Sequence, residues 1–112
     1  MHANDYQKEA MTLLNPDIPA DQVLLNAVLG LCGESGEAAD LLKKHLFQGH
    51  ELDKQTMMKE LGDVAWYLAE ACEGLGVRLS DVMQMNLDKL HRRYPDGFSA
   101  DRSRCRQEDD QA

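Results

Sequence analysis

Apolar residues recur along this chain at steps of three and four, the spacing of one helix face, and Pro and Gly divide the pattern into four segments. Tyr6, Ala10, Leu13 and Leu14 predict a first helix from about Asn4 to Leu14. Asn15-Pro16 stops it, because the residue before proline disfavours the helical backbone. A second helix is expected from Ala20 or Asp21, after Pro19, to about Gln48, with Gly49 free to take the left-handed conformation that ends a helix. The third has Asp53 as its N-cap and Met57, Leu61, Val64, Leu68, Cys72 and Leu75 as its packed seam, before Gly74 and Gly76 close it. Ser80 is the expected N-cap of a fourth, with Asp81 in the first turn and Leu79, Val82, Met83, Leu87 and Leu90 as its buried stripe. Tyr94-Pro95-Asp96-Gly97 ends it. With 5% aromatic residues and abundant Ala, Leu, Met, Glu, Lys and Gln, the composition agrees with an all-α fold.

A chain of 112 residues with 43% apolar content suits one domain, expected over residues 1–98. From Ser99 the sequence has almost no apolar content, so residues 99–112 are expected to form a flexible polar tail. Small chains bury proportionally little surface, so a homo-oligomer is expected. The 20 acids against 12 Lys plus Arg leave a net charge of −8, and no basic run is longer than Lys43-Lys44 or Arg92-Arg93. A phosphate backbone or anionic membrane is gripped by basic clusters, so neither nucleic acid nor membrane is an expected partner. The polar N-terminus and the absence of any apolar run near the roughly 18 to 20 residues of a spanning helix lead to an expected cytoplasmic location. Cys32, Cys72 and Cys105 are odd in number and lack CxxC spacing, which reads as reduced structural thiols.

The candidate chemistry lies in two helices. Glu34 and Glu37 on the second, and Glu60 and Asp63 on the third, are each spaced i, i+3, which points both side chains of a pair at nearly the same surface. If the two helices pack antiparallel through a short loop around His50 to Leu52, the pairs meet. Four converging carboxylates repel one another unless cations neutralise them, and hard oxygen ligands select Mg²⁺ or Mn²⁺. The competing reading leaves these acids on solvated faces. Two features weigh against it: Glu34 and Glu37 share a face with Ala38 and Leu41, and Glu60 and Asp63 lie one turn before Val64 and Tyr67. Gly30 and Gly33 lie on the same side of the second helix, although each costs about 1 kcal/mol relative to alanine. Room for a close helix approach or for a ligand is therefore expected there.

On the fourth helix Asn86, Lys89 and Arg93 share one edge. A cationic edge would hold polyphosphate oxygens as charge shifts onto a leaving group; equally, Lys89 and Arg93 suit a helix C-terminus as ordinary surface cations. His2, His45, His50 and His91 supply neither HExxH nor zinc spacing, Glu-x-x-His is absent, and so are GxxxxGK[ST] and GxGxxG.

The pattern Glu34-x-x-Glu37, 22 residues, Glu60-x-x-Asp63, set in Gly30 to Asp40 and Lys59 to Leu68, resembles the MazG-type nucleoside triphosphate pyrophosphohydrolases of the all-α NTP pyrophosphatase superfamily. The ending from Asn86 to Phe98, with Arg93-Tyr94-Pro95, is similar to the segment after the fourth helix in that family. The resemblance spans about residues 23–98 and is to the short single-domain forms. It implies a four-helix bundle assembled as a tight homodimer or dimer of dimers. It also implies Mg²⁺ held by Glu34, Glu37, Glu60 and Asp63, and hydrolysis of the α–β phosphate bond of (d)NTPs to (d)NMP and pyrophosphate, as in nucleotide-pool house-cleaning. By position, Tyr67, Asn86, Lys89, Arg93 and Tyr94 would face the phosphates and Asn26 the base or ribose. Two other functions stay open on the sequence: a non-catalytic helical nucleotide-sensing or dimerisation module, and a relative that acts on another diphosphate such as phosphoribosyl-ATP.

Overall fold

The computed structural model describes residues 1–106; the end of the expected tail, residues 107–112, lies outside the described residues. The chain parts into two compact units, Met1–Leu79 and Ser80–Ala112. The first holds α1 (Ala3–Met11), a single 3₁₀ turn (Ala20–Gln22), α2 (Val23–Phe47) and α3 (Lys54–Leu75). The second holds nearly all of α4 (Leu79–Arg93) together with α5 (Ala100–Arg104). No strand occurs among the described residues, so the all-α reading holds.

Local chemistry explains most helix ends. The Asp53 carboxylate accepts hydrogen bonds from the Gln55 amide at 3.0 Å and the Thr56 hydroxyl at 2.9 Å, capping α3 as predicted. Gly49 follows α2 at φ 74° and Gly76 follows α3 at φ 71°, both in the left-handed region that glycine enters without a Cβ clash. The Val77 amide then donates to the Cys72 carbonyl at 3.0 Å, closing the last turn of α3. The start of α4 differs from expectation: it begins at Leu79, one residue before the predicted Ser80 cap. The Leu79 amide donates at 2.6 Å to Oε1 of Gln7, and Nε2 of Gln7 donates to the Val77 carbonyl at 3.0 Å. A buried α1 side chain thus serves backbone groups some seventy residues away, which no local pattern encodes. Within the segment read as a tail, Ser99 accepts from the Arg102 amide and starts the single helical turn α5.

The faces used for packing also differ from the apolar pattern. The seam between α2 and α3 carries Gly74 against Leu24, Glu70 against Asn26, Tyr67 against Gly30, and Glu60 with Asp63 beside Glu34. On α3 these positions repeat at steps of three and four, in antiparallel register with α2. Leu61, Leu68 and Leu75, predicted as the buried seam, instead remain exposed, as do Met83 and Leu87 on α4, Leu13 after α1, and Cys32 on α2. The buried apolar residues are mostly small, Ala10, Ala27, Ala69 and Ala71 among them, joined by Val23, Cys72 and Leu79. Trp66 ties α3 to α1 by donating from Nε1 to the Ala10 carbonyl at 3.1 Å.

Two glycines set the approach of α2 to α3. A Cβ on Gly30 would penetrate the Tyr67 ring, and one on Gly74 would lie 2.7 Å from the Leu24 backbone nitrogen. Gly74 therefore sits inside α3 as a contact point rather than at its close. Gly33 has open space around its Cα, so the close approach expected there is made at Gly30 alone. Gly30→Ala and Gly74→Ala should each lose about 1–3 kcal/mol through overpacking, visible as a fall in Tm by circular dichroism. Gly62→Ala, where nothing lies within 4 Å, should leave Tm unchanged or raise it through helix propensity. Equal losses at all three positions would refute the close-approach account.

Candidate acidic metal centre

Antiparallel packing of α2 on α3 brings Glu34, Glu60 and Asp63 together, with one carboxylate oxygen from each lying within 4.8 Å of the others. Glu34 and Glu60 are half-buried and Asp63 is exposed, so the cluster opens to solvent on one side. Glu37 lies one turn further along α2, exposed and outside this trio, yet near enough for its charge to act on Glu34. The Glu34 carboxyl is pushed above its ordinary 4.5, first by partial burial and then by a hydrogen bond shared with Glu60. The negative charges of Asp63, Glu60 and Glu37 add to the rise.

Around the trio stand groups of different kinds. The Tyr67 ring lies on the α2 backbone at Gly30, one turn before Glu34, and meets Trp66 edge to face with centroids 5.1 Å apart. Tyr67, assigned to the phosphates by the resemblance, is thereby also the spacer that sets the distance between the two acidic helices. Tyr6 of α1 is a neighbour that spacing did not indicate: burial, then the Asp63 charge, raises its phenol above 10.0. Its sequence signal is only that of an apolar-face residue, so its electrostatic link to Asp63 is not readable there. Asp40 pairs with Lys44 at 2.9 Å and Lys43 at 3.1 Å along α2.

Asn26 is placed elsewhere on the same helix. Its Nδ2 donates to both carboxylate oxygens of Glu70, at 3.0 and 2.9 Å, and Glu70 is fully buried. In the second unit, Asn86 is exposed, Lys89 half-buried and Arg93 buried. The Arg93 guanidinium lies 5.9 Å from the Tyr94 ring centroid, and Tyr94 leans on Phe98 at 5.3 Å.

Three carboxylates at this spacing form a donor set of hard oxygens with net negative charge and an open side. That suits a small divalent cation of the Mg²⁺ or Mn²⁺ type, and does not suit zinc, which prefers nitrogen and sulfur. An anionic cluster without a cation is self-repulsive, and the neighbouring charges add to a rise at Glu34 that burial and the Glu60 hydrogen bond lead.

Residues 22–98 match the family model described as the MazG nucleotide pyrophosphohydrolase domain. A relative, the Gene 37 protein of Mycobacterium phage L5, is 37% identical over 105 residues, covering 87% of this chain and 92% of the phage protein. No solved structure matches.

Because Glu34 binds its proton more tightly folded than unfolded, its contribution to stability is complete below 4.5 and is lost as pH rises through the higher folded value. Asp40 and Asp53, both lowered from 3.8 by hydrogen-bonding partners, act in the opposite sense and only at lower pH. In chelator, Glu34→Gln should therefore gain in Tm on the wild type as pH rises past 4.5, and saturating Mg²⁺ should reverse the order by stabilising the wild type alone. A Tm difference that ignores both pH and Mg²⁺ would contradict the cluster's electrostatics.

Proposed function

The chain belongs to the MazG nucleotide pyrophosphohydrolase family, and from that premise we propose that it hydrolyses the α–β phosphate bond of nucleoside triphosphates in a Mg²⁺-dependent reaction. The products are a nucleoside monophosphate and pyrophosphate, and the biological role is clearance of surplus or non-canonical nucleotides. The observation that carries this reading is the convergence of Glu34, Glu60 and Asp63 across α2 and α3.

In this reading Glu34, Glu60 and Asp63 hold the cation, and Glu37, one turn on, completes the set. A bound divalent ion supplies neutralisation of phosphate charge and acidification of a water. The chain's own carboxylates would orient a water toward the α-phosphorus, and one of them would accept its proton. Oxygen attacks phosphorus, the α–β anhydride bond breaks, and pyrophosphate carries off the electron pair. Tyr67, Asn86, Lys89, Arg93 and Tyr94 are the phosphate-binding residues that the family pattern names, with the cations offsetting charge on the leaving group.

A homodimer or dimer of dimers belongs to the same reading. Its support is a stripe on α2, Val28, Cys32, Ser35, Ala39, Leu42 and Leu46, which repeats at alternating steps of four and three and lies exposed in one protomer. Leu42→Glu should shift the sedimenting species toward monomer; an unchanged monomeric wild type would overturn this part.

The decisive assay is pyrophosphate release from a panel of NTPs and dNTPs with and without Mg²⁺. Glu34→Gln and Asp63→Asn should each lower kcat/KM roughly 100-fold or more, since a metal's electrostatic contribution is several kcal/mol. Retained turnover in both variants would overturn the site, and orthophosphate as first product would overturn the cleavage position.

A further inference from the structure

Glu70 is a fully buried carboxylate that the acidic centre does not use. It lies on α3 one turn beyond Tyr67, and both of its oxygens accept from the single Nδ2 of Asn26. In this arrangement the nitrogen end of the Asn26 amide faces inward. Its nitrogen is held by Glu70, and its carbonyl oxygen is left for whatever Asn26 meets outside.

What Asn26 meets is a groove of about 340 Å³, lined by Asp17, Ile18, Pro19, Gln22, Leu25 and Leu29. The groove runs between α2 and the connection that follows α1. Its walls are mainly apolar side chains and a proline ring, surfaces on which a flat heterocycle stacks, with two amides and a carboxylate at its edge. The Asp17 backbone amide is bound at 2.9 Å by Oδ1 of Asn15, which holds this rim in a turn. Asn26 precedes Glu34 by eight residues on one side of α2, about 12 Å along the helix at 1.5 Å per residue, a span that an extended nucleotide covers.

We propose that this groove takes the nucleobase of the substrate, that Oδ1 of Asn26 accepts a hydrogen bond from an exocyclic amino group, and that Glu70 is the positioning residue that imposes this polarity. The proposal rests on the nucleotide reading of the acidic centre and adds a substrate class: cytosine and adenine nucleotides over their keto counterparts. A keto oxygen in place of the amino group would set acceptor against acceptor. Glu70 touches no substrate; it acts by denying the Asn26 amide its other orientation.

The test uses product-like nucleoside monophosphates, which report base recognition without chemistry. Calorimetric titration with Mg²⁺ compares CMP with UMP and AMP with IMP, each pair exchanging the exocyclic amino group for a keto oxygen and placing a proton on the adjacent ring nitrogen. The wild type should favour the amino member of both pairs by about fivefold or more, the worth of one hydrogen bond. In Glu70→Gln the new side-chain amide can donate to the Asn26 carbonyl, so Asn26 can turn its nitrogen outward and the preference should vanish or invert. The pair Asn26→Leu with Glu70→Met removes both polar partners together, avoids a stranded buried polar group, and should bring both ratios near one. A merely structural Glu70 would weaken all four ligands alike and leave the ratios unchanged. Ratios near one in the wild type, or no binding of any monophosphate, overturn the groove assignment; wild-type ratios in Glu70→Gln overturn the role of Glu70. Pyrophosphate release, measured separately, reports whether the nucleotide reading itself stands.

Discussion

The close approach of α2 to α3, made possible where Gly30 receives the Tyr67 ring and Gly74 admits the Leu24 backbone, is the constraint on which the rest depends. Helix backbones come this near only where side chains are missing from the contact. Once they do, everything else on the seam is fixed by register. Position 26 falls opposite 70, position 30 opposite 67, and position 34 beside 60 and 63. The cost of two glycines inside helices is offset by a contact that larger residues could not make.

That seam is polar to an unusual degree. Helix pairs normally bury leucines between them, whereas here α2 and α3 face one another with four carboxylates, an asparagine and a tyrosine. At one end the charge is answered by an amide, as Asn26 donates to Glu70. At the other it is unanswered within the trio, and the Glu34 carboxyl is pushed above its ordinary value by partial burial, then by the Glu60 hydrogen bond and the neighbouring negative charges. The contrast separates two uses of the same residue type. A carboxylate satisfied by hydrogen bonds orients its partner, while carboxylates left facing one another create a demand for a cation.

A polar seam displaces apolar side chains elsewhere. Leu61, Leu68 and Leu75 of α3 and Val28, Leu42 and Leu46 of α2 all stand exposed, while alanines dominate the buried set. For a chain of this size a core built largely of alanine supplies limited hydrophobic stabilisation, since each lost methylene forgoes about 0.8 kcal/mol. The apolar area that would make up the difference is present, but lies on outer helix faces.

Several features were decided by sequence alone. The helices, the Asp53 cap and the left-handed glycines at 49 and 76 follow from spacing and propensity, because each depends on neighbours within one or two turns; the acidic i, i+3 spacings are equally local, but the meeting of Glu34 with Glu60 and Asp63, without Glu37, is tertiary. Which stripe of α3 would face α2 did not follow. Periodicity registers two faces without saying which neighbour takes which, and Leu61, Leu68 and Leu75 of the apolar stripe stayed outside while Cys72 was buried. Gln7 serving Val77 and Leu79, Tyr6 beside Asp63, and Glu70 holding Asn26 are equally illegible in sequence. Each joins residues tens of positions apart, and only the packed register of α1, α2 and α3 brings their polar atoms within reach of one another.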